Sequence, residues 1–132
     1  MSNLQKKPEH GLTLYSEGEY PRTDKPWGFF EVLLETEKSK VKILSINPQQ
    51  KLSMQMHEHR SETWYITQGV ATVTKSDSVH ELYPGESIVI DKKEKHRIEN
   101  FHDEILEIIE IQTGSYFCLL YTSDAADEGL GV

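Results

Sequence analysis

Apolar and polar positions along the chain follow the short, alternating pattern of β-strands rather than the wider spacing of a helix. From Trp27 onward, apolar runs of five to eight residues recur, separated by turn signals such as Pro84-Gly85. No stretch shows a convincing helical stripe with caps. The candidate strands are Phe29–Leu34, Lys40–Ile46, Lys51–His57, Thr63–Thr67, Val70–Lys75, Val79–Tyr83, Ser87–Ile90, His96–Glu99 and Ile105–Gln112. This spacing predicts an all-β, single-domain sandwich or jelly-roll β-barrel, whose closure removes exposed strand edges.

Three segments differ in composition. Residues 1–24 are polar, and we expect an N-terminal arm with one short strand at Leu12–Tyr15. Residues 25–117 form the predicted β domain. Residues 118–132 resemble the translated adapter peptide that DNA library preparation appends to unrelated reading frames, so we expect native sequence to end at or near Phe117. The alternative is an ordinary acidic terminus, and recloning from the source DNA distinguishes the two.

Charge and cysteine content restrict the partners and the compartment. The net charge of −8 over 132 residues argues against a surface for nucleic acid or anionic membrane. The single cysteine, Cys118, allows no intrachain disulfide and fits a reducing compartment. The N-terminal residues are polar and no apolar run approaches the length of a membrane span, so we expect a cytoplasmic protein without a signal peptide.

Residue types that ligate metals lie close together in the segment Lys51–Glu62. Alternation in an extended strand places one polar set on a single face, comprising Ser53, Gln55, His57 and His59. It places Leu52, Met54 and Met56 on the other face, where we expect an apolar layer. Polar side chains that face an apolar interior are costly unless a partner satisfies them, and a cation would do so. The alternative is the solvated face of a half-exposed sheet.

A second segment supplies a further histidine. His96, Ile98 and Asn100 alternate, so His96 can face the same cavity. Imidazole and carboxylate groups suit zinc, manganese, iron or nickel. We therefore predict a divalent metal site, its identity left open, whose ligands are His57, His59, Glu62 and His96. The amide oxygen of Gln55 is an alternative to His59, and His10, His80 and His102 are predicted to be surface residues.

The order of these residues resembles the paired motifs of the cupin superfamily, His-x-His…Glu…Gly and Gly…His-x3-Asn. Here the glycines are Gly69 and Gly85. Five ordered motifs narrow the resemblance to the type II mannose-6-phosphate isomerase domain: Lys25–Gly28, Val41–Pro48, Leu52–Trp64, His96–Asn100 and Ile109–Tyr116. Where the cupin pattern has Pro and Gly before the histidine, this chain has Asp91 and Lys93, so that turn must be built without them.

The resemblance implies a fold, an activity and a set of roles. In that family the domain is usually the C-terminal part of a bifunctional enzyme with mannose-1-phosphate guanylyltransferase. These 132 residues contain no nucleotidyltransferase domain, so we expect a stand-alone isomerase without guanylyl transfer. The implied reaction interconverts mannose 6-phosphate and fructose 6-phosphate, supplying mannose metabolism and polysaccharide precursors. A metal would polarise the sugar oxygens while a proton moves between C2 and C1 through an enediol.

The implied catalytic base is Glu110 or Lys42, and the implied substrate-binding residues are Gln55, Arg60 and Arg97, the arginines for phosphate. Simpler interpretations exist: Lys42 and Glu110 could form a cross-strand ion pair, and alternation turns Arg97 away from His96. Trp27 and Trp64 are expected to pack in the core or at its rim.

Two other functions stay open at the level of sequence. One is a non-catalytic, metal-containing cupin that binds a sugar or sugar phosphate. The other is a small iron-dependent oxygenase, which the flanking motifs disfavour because it would not need Trp27-Gly28 or Ile109–Tyr116. The expected partner is a small sugar phosphate, with no nucleic acid and no membrane, and the N-terminal arm leaves a homodimer open.

Overall fold

The structure is a computed structural model that describes residues 20–114 together with the backbone of residues 13–14. Within this part of the chain there is no helix, as predicted, and the strands are β1 (Thr13–Leu14), β2 (Arg22–Lys25), β3 (Gly28–Glu35), β4 (Ser39–Ile46), β5 (Arg60–Gln68), β6 (Ala71–Lys75), β7 (Ser78–Leu82), β8 (Ser87–Ile90), β9 (His96–Glu99) and β10 (Leu106–Gly114). The predicted tail, 118–132, and His10 lie outside the described residues.

The strands form two antiparallel sheets. The larger sheet has the order β1-β3-β4-β10-β5-β8, with β2 paired to β3, and the smaller has the order β7-β6-β9. Apolar side chains from both sheets make one core, to which Ile46 and Ile108 contribute from the larger sheet and Val73 and Ile98 from the smaller. The all-β prediction is confirmed. No helix in the described residues has the length and apolar character needed to cross a lipid bilayer.

The inward face of each central strand changes from apolar to polar along its length. On β10, Leu106 and Ile108 are buried in the core, and the next inward residues are Glu110 and Gln112. On the antiparallel neighbour β4, Lys42 lies directly opposite Glu110. The pairing aligns the polar positions at one level of the interior, so one end is an apolar core and the other end is a polar site.

The segment 51–57 is not a regular strand, contrary to the prediction of Lys51–His57. It runs along the open edge of β9 through two isolated bridges, Lys51 to Glu99 and Gln55 to His96. Four residue steps separate the bridges on this segment but three on β9, so an extra residue is accommodated and the alternation is interrupted.

The interrupted alternation also affects the side chains of this segment. The expected apolar layer is only partly formed, because Leu52 packs against the core whereas 43% of Met54 and 39% of Met56 remain exposed. Ser53, expected on the polar inner face, is exposed to solvent but also lines the interior cavity. The arm prediction also missed β2, whose short turn to β3 buries Trp27 in the core.

Two details of the loops fix the site's surroundings. The Asn100 amide nitrogen donates to the carbonyls of Ile46, Asn47 and Glu104, which ties the loop after β9 to the end of β4. The turn before His96 is built without glycine, and Lys93 instead adopts a left-handed φ of 68°. The Lys93 amide donates to the His57 carbonyl at 2.7 Å, so this turn positions His57.

Candidate metal centre and substrate cavity

Three predicted metal ligands come together inside the molecule. His57 precedes β5, Glu62 is on β5 and His96 begins β9, yet their ligand atoms all lie within 4.8 Å of one another. The Nε2 atom of His57 lies 3.3 Å from one Glu62 oxygen, and Nε2 of His96 lies 3.7 Å from the other. Each side chain is about 3% exposed. Two imidazoles and one carboxylate in this arrangement match the donor set of zinc, manganese or iron sites.

His96 is oriented as a metal ligand would be. Its Nδ1 donates to the Glu94 carbonyl at 2.8 Å, which leaves the Nε2 lone pair directed towards Glu62. Burial lowers the pKa of His96 below its usual value, although the bond to the Glu94 carbonyl acts in the opposite direction. The ring is therefore held in the neutral form that binds metals.

Glu62 is held between opposing influences. Burial raises the pKa of its carboxyl well above the usual value, and the neighbouring Glu110 raises it further, whereas Arg60 lowers it. The Arg60 guanidinium donates to Glu62 at 2.9 Å and to Nε2 of His57 at 3.1 Å. Arg60 thus supplies positive charge to the same two atoms that a metal would contact.

His59, the remaining predicted ligand, is not part of this group. A bend at Glu58 and His59 separates His57 from β5, and on β5 the inward residues are Arg60 and Glu62. The bend shifts the alternation by one residue, so His59 is half-buried outside the group. The ligand assignments of His57, His59, Glu62 and His96 remain predictions. His80 and His102 lie near the surface, where His80 is partly buried and His102 is exposed.

A cavity of about 480 Å³, including its open mouth, is lined by Glu62 and His96, two of the three predicted ligands that come together. Its lining includes most of the sequence-predicted site residues: Lys42, Gln55, Arg60, Glu62, His96, Arg97 and Glu110. Arg97 lines it even though alternation turns that residue away from His96. The buried side chains of Trp27 and Trp64 contribute its apolar wall, so these residues belong both to the core and to the cavity.

Glu110 and Lys42 are buried neighbours on adjacent strands rather than surface residues. They lie opposite each other on β10 and β4, where Glu110 is 6% exposed and Lys42 is 3% exposed. The Lys42 ammonium lies 4.1 Å from the centre of the Phe30 ring. The Gln112 amide donates to Glu110 at 2.7 Å, which orients that carboxylate. Sequence reasoning missed Gln112, although its spacing of two from Glu110 on a strand placed both on one face.

Lys25 was also missed by the sequence analysis. It ends β2, pairs with Gly28 across the short turn and lines the cavity. Its motif, Lys25-Pro26-Trp27-Gly28, is one of the five family motifs, but nothing in the sequence indicates that a turn at the sheet's edge brings the lysine to the polar end of the interior.

The matching family model and the curated relatives indicate the same protein family. The family model described as "Mannose-6-phosphate isomerase C-terminal" matches residues 16–119. A mannose-1-phosphate guanylyltransferase of Sinorhizobium fredii is 38% identical over 97 residues, which are 74% of this chain and 19% of that protein. The alginate biosynthesis protein AlgA of Pseudomonas aeruginosa is 38% identical over 92 residues, 70% of this chain and 19% of that protein. The chain spans about a fifth of the length of these curated relatives.

Solved structures agree on the fold. KdgF from Halomonas sp. superimposes with a TM-score of 0.71 at 15% identity, covering 80% of this chain and 96% of that one. An RmlC-like cupin from Shewanella frigidimarina gives 0.69 at 13% identity, covering 82% and 95%. The predicted cupin fold is confirmed, and the chain belongs to the mannose-6-phosphate isomerase C-terminal domain family.

Proposed function

We propose that this protein is a metal-dependent aldose–ketose isomerase acting on mannose 6-phosphate and fructose 6-phosphate, in mannose metabolism and polysaccharide precursor synthesis. The observation that carries the proposal is the buried group of His57, Glu62 and His96. It lies beside a cavity whose lining also includes Lys42 and Glu110. The names of the relatives, which refer to mannose 1-phosphate and to alginate biosynthesis, support the same metabolic setting.

The three ligand candidates fit a divalent cation. The buried Glu62 carboxylate lies between two imidazoles, and His96 already directs its free nitrogen towards it. A bound cation would act as a Lewis acid on the oxygens at C1 and C2 of the sugar. His57, Glu62 and His96 would hold it, and the remaining chemistry falls to other residues of the cavity.

Glu110 is the proposed base. Its carboxylate is buried and oriented by Gln112, so it can take the proton from C2 of mannose 6-phosphate and return it to C1. Lys42 lies directly opposite and would balance the charge of the carboxylate and donate to a sugar oxygen. Gln55, which lines the cavity and pairs with the backbone of His96, is placed to hydrogen-bond the sugar. The apolar walls from Trp27 and Trp64 limit water around these groups.

The test is turnover of fructose 6-phosphate to mannose 6-phosphate by protein loaded with zinc or manganese. We expect metal-dependent turnover that is lost in His57→Ala and reduced by about 100-fold or more in Glu110→Gln. His80→Ala, which alters a histidine outside the cavity, is the matched control and should retain full activity.

Two outcomes would change the proposal. Stoichiometric metal binding without turnover would favour the alternative, a metal-containing cupin that binds a sugar or sugar phosphate without catalysis. Loss of metal in His59→Ala to the same degree as in His57→Ala would show that the bend at His59 rearranges when metal binds.

A further inference from the structure

The charge inside the cavity is opposite to the charge of the whole protein. The chain carries a net charge of −8, yet the cavity is lined by four cationic side chains and two carboxylates: Lys25, Lys42, Arg60, Arg97, Glu62 and Glu110. Cations collected in a cleft of an acidic protein focus a positive potential there, which attracts an anionic ligand. The cavity lining therefore has more positive than negative side chains, and this excess would attract an anionic ligand.

Two of the four cations are held deep in the cavity. Arg60 is 5% exposed and its guanidinium already contacts Glu62 and His57. Lys42 is 3% exposed, stacks on the Phe30 ring and lies opposite Glu110. Their positive charge serves the carboxylates at the polar end of the interior rather than the mouth of the cavity.

The other two cations are closer to solvent and come from opposite sheets. Lys25 is half-buried at the end of β2, on the larger sheet, and Arg97 is on β9 of the smaller sheet. The Arg97 side chain is 31% exposed, and its Nε forms an ion pair with Glu99 at 3.8 Å, a distance longer than that of a hydrogen bond. That Nε is buried and has no hydrogen-bond partner among the described residues, whereas the side chain as a whole is partly exposed and lines the cavity.

We propose that Lys25 and Arg97 form the phosphate subsite of this cavity. The assignment rests on the proposed function, because it takes the ligand to be a sugar phosphate. A guanidinium offers paired donors that match phosphate oxygens, and an ammonium adds a point charge. The phosphate lies between the two sheets at the mouth, which directs C1 and C2 of the sugar inward to Glu110 and the three metal-ligand candidates. Arg60, which sequence reasoning placed on the phosphate, is not assigned to this subsite because its guanidinium contacts Glu62 and His57 at the deep end of the cavity.

The test compares phosphorylated with unphosphorylated sugar in the whole protein. Calorimetric titrations with mannose 6-phosphate, mannose and inorganic phosphate are run on the wild type and on Lys25→Gln and Arg97→Gln. Each variant should weaken mannose 6-phosphate and inorganic phosphate binding by about tenfold or more and leave mannose binding unchanged. Lys95→Gln removes an exposed lysine outside the cavity and is the matched control, and Lys25→Arg should retain most of the affinity.

The outcomes separate the subsite from the isomerase. A wild type without preference for mannose 6-phosphate over mannose would overturn the subsite, as would a preference that survives in both glutamine variants. Equal weakening of mannose and mannose 6-phosphate would also overturn it, since this would indicate a general structural effect. A preference lost in both variants, in a protein with no isomerase turnover, would retain the subsite and remove the isomerase.

Discussion

Glu62 is the residue at which the opposing forces of this site meet. Its carboxylate is almost fully buried, lies beside a second carboxylate and is contacted by one guanidinium and two imidazoles. A buried negative charge is costly unless a cation compensates it, which is why burial raises the pKa of this carboxyl. A divalent ion would relieve that cost because it binds the ionised form.

We therefore expect metal affinity to increase with pH. Below the raised pKa, Glu62 holds a proton that the metal must displace; above it the carboxylate is already ionised and the competition disappears. The lowered pKa of His96 means that this ring loses its proton at a lower pH than an ordinary histidine, which favours metal binding. Competition between the protein and a chelator for zinc, from about pH 5 to about pH 8, should show about one proton released per metal while Glu62 titrates.

Two substitutions control this measurement. Glu62→Gln should bind zinc more weakly and without the pH-dependent rise, whereas Glu104→Gln, at an exposed carboxylate, should behave as the wild type. An affinity that does not change with pH, in a protein whose zinc is lost in His57→Ala, would exclude Glu62 as the titrating ligand.

His57 and His59 show how much of the site could be predicted at the scale of residues. The residue types predicted a metal site, and the structure brings His57, Glu62 and His96 together. Strict alternation would also have brought in His59. Strict alternation does not hold here because the chain bends at Glu58 and His59 before β5 begins, and this bend exchanges the inward and outward positions. A bend of one or two residues has no reliable signal in the sequence when it lacks glycine and proline.

At the scale of elements, the turn from Asp91 to Glu94 contains a strained lysine, Lys93, at a position that glycine would occupy without backbone strain. Lys93 adopts a left-handed conformation with φ at 68°, which costs a non-glycine residue about 1 kcal/mol or more. The turn persists because the Glu94 carboxylate accepts from the Asp91 amide at 2.8 Å and the Lys93 amide donates to His57. The strain is thus located where the turn holds a metal-ligand candidate in place.

Lys93→Gly should stabilise the protein. Glycine adopts the left-handed conformation without steric cost, although it gains entropy in the unfolded chain, so we expect the free energy of unfolding to rise by about 0.5–1 kcal/mol. Lys92→Gly, at the exposed neighbour without positive φ, should lower it by a similar amount. Urea denaturation measures both. Equal destabilisation by the two substitutions would show that Lys93 is not strained in solution.

At the scale of the whole molecule, the site joins the two sheets. Glu62 belongs to the larger sheet and His96 to the smaller, so a cation bound by both would cross-link them. Since the unfolded chain does not preform this group, binding energy adds to folding energy. The effect should be visible as a change in thermal stability.

Zinc or manganese at about a hundredfold excess over its dissociation constant should stabilise the fold by about 2.7 kcal/mol and raise the melting temperature by roughly 10 °C. A chelator should reverse the change, His57→Ala should abolish it and His80→Ala should preserve it. Bound zinc that leaves the melting temperature unchanged would mean that the unfolded chain binds zinc equally well, which contradicts a ligand set assembled only by folding.

The sequence by itself determined the fold class, the family and the residue types of the site. Period-two alternation specifies which side chains of a strand share a face, and five ordered motifs specify the family. Only the tertiary structure decided which polar side chains from different strands lie next to one another in the interior. The pairing of β4, β5 and β10 places Lys42 opposite Glu110 and Glu62 opposite Gln112, so these residues together form the polar end of the interior. The short turn before β3 brings Lys25 to the same cavity. Strand register, bulges and bends arise from contacts between segments distant in the chain, so a local pattern cannot specify them.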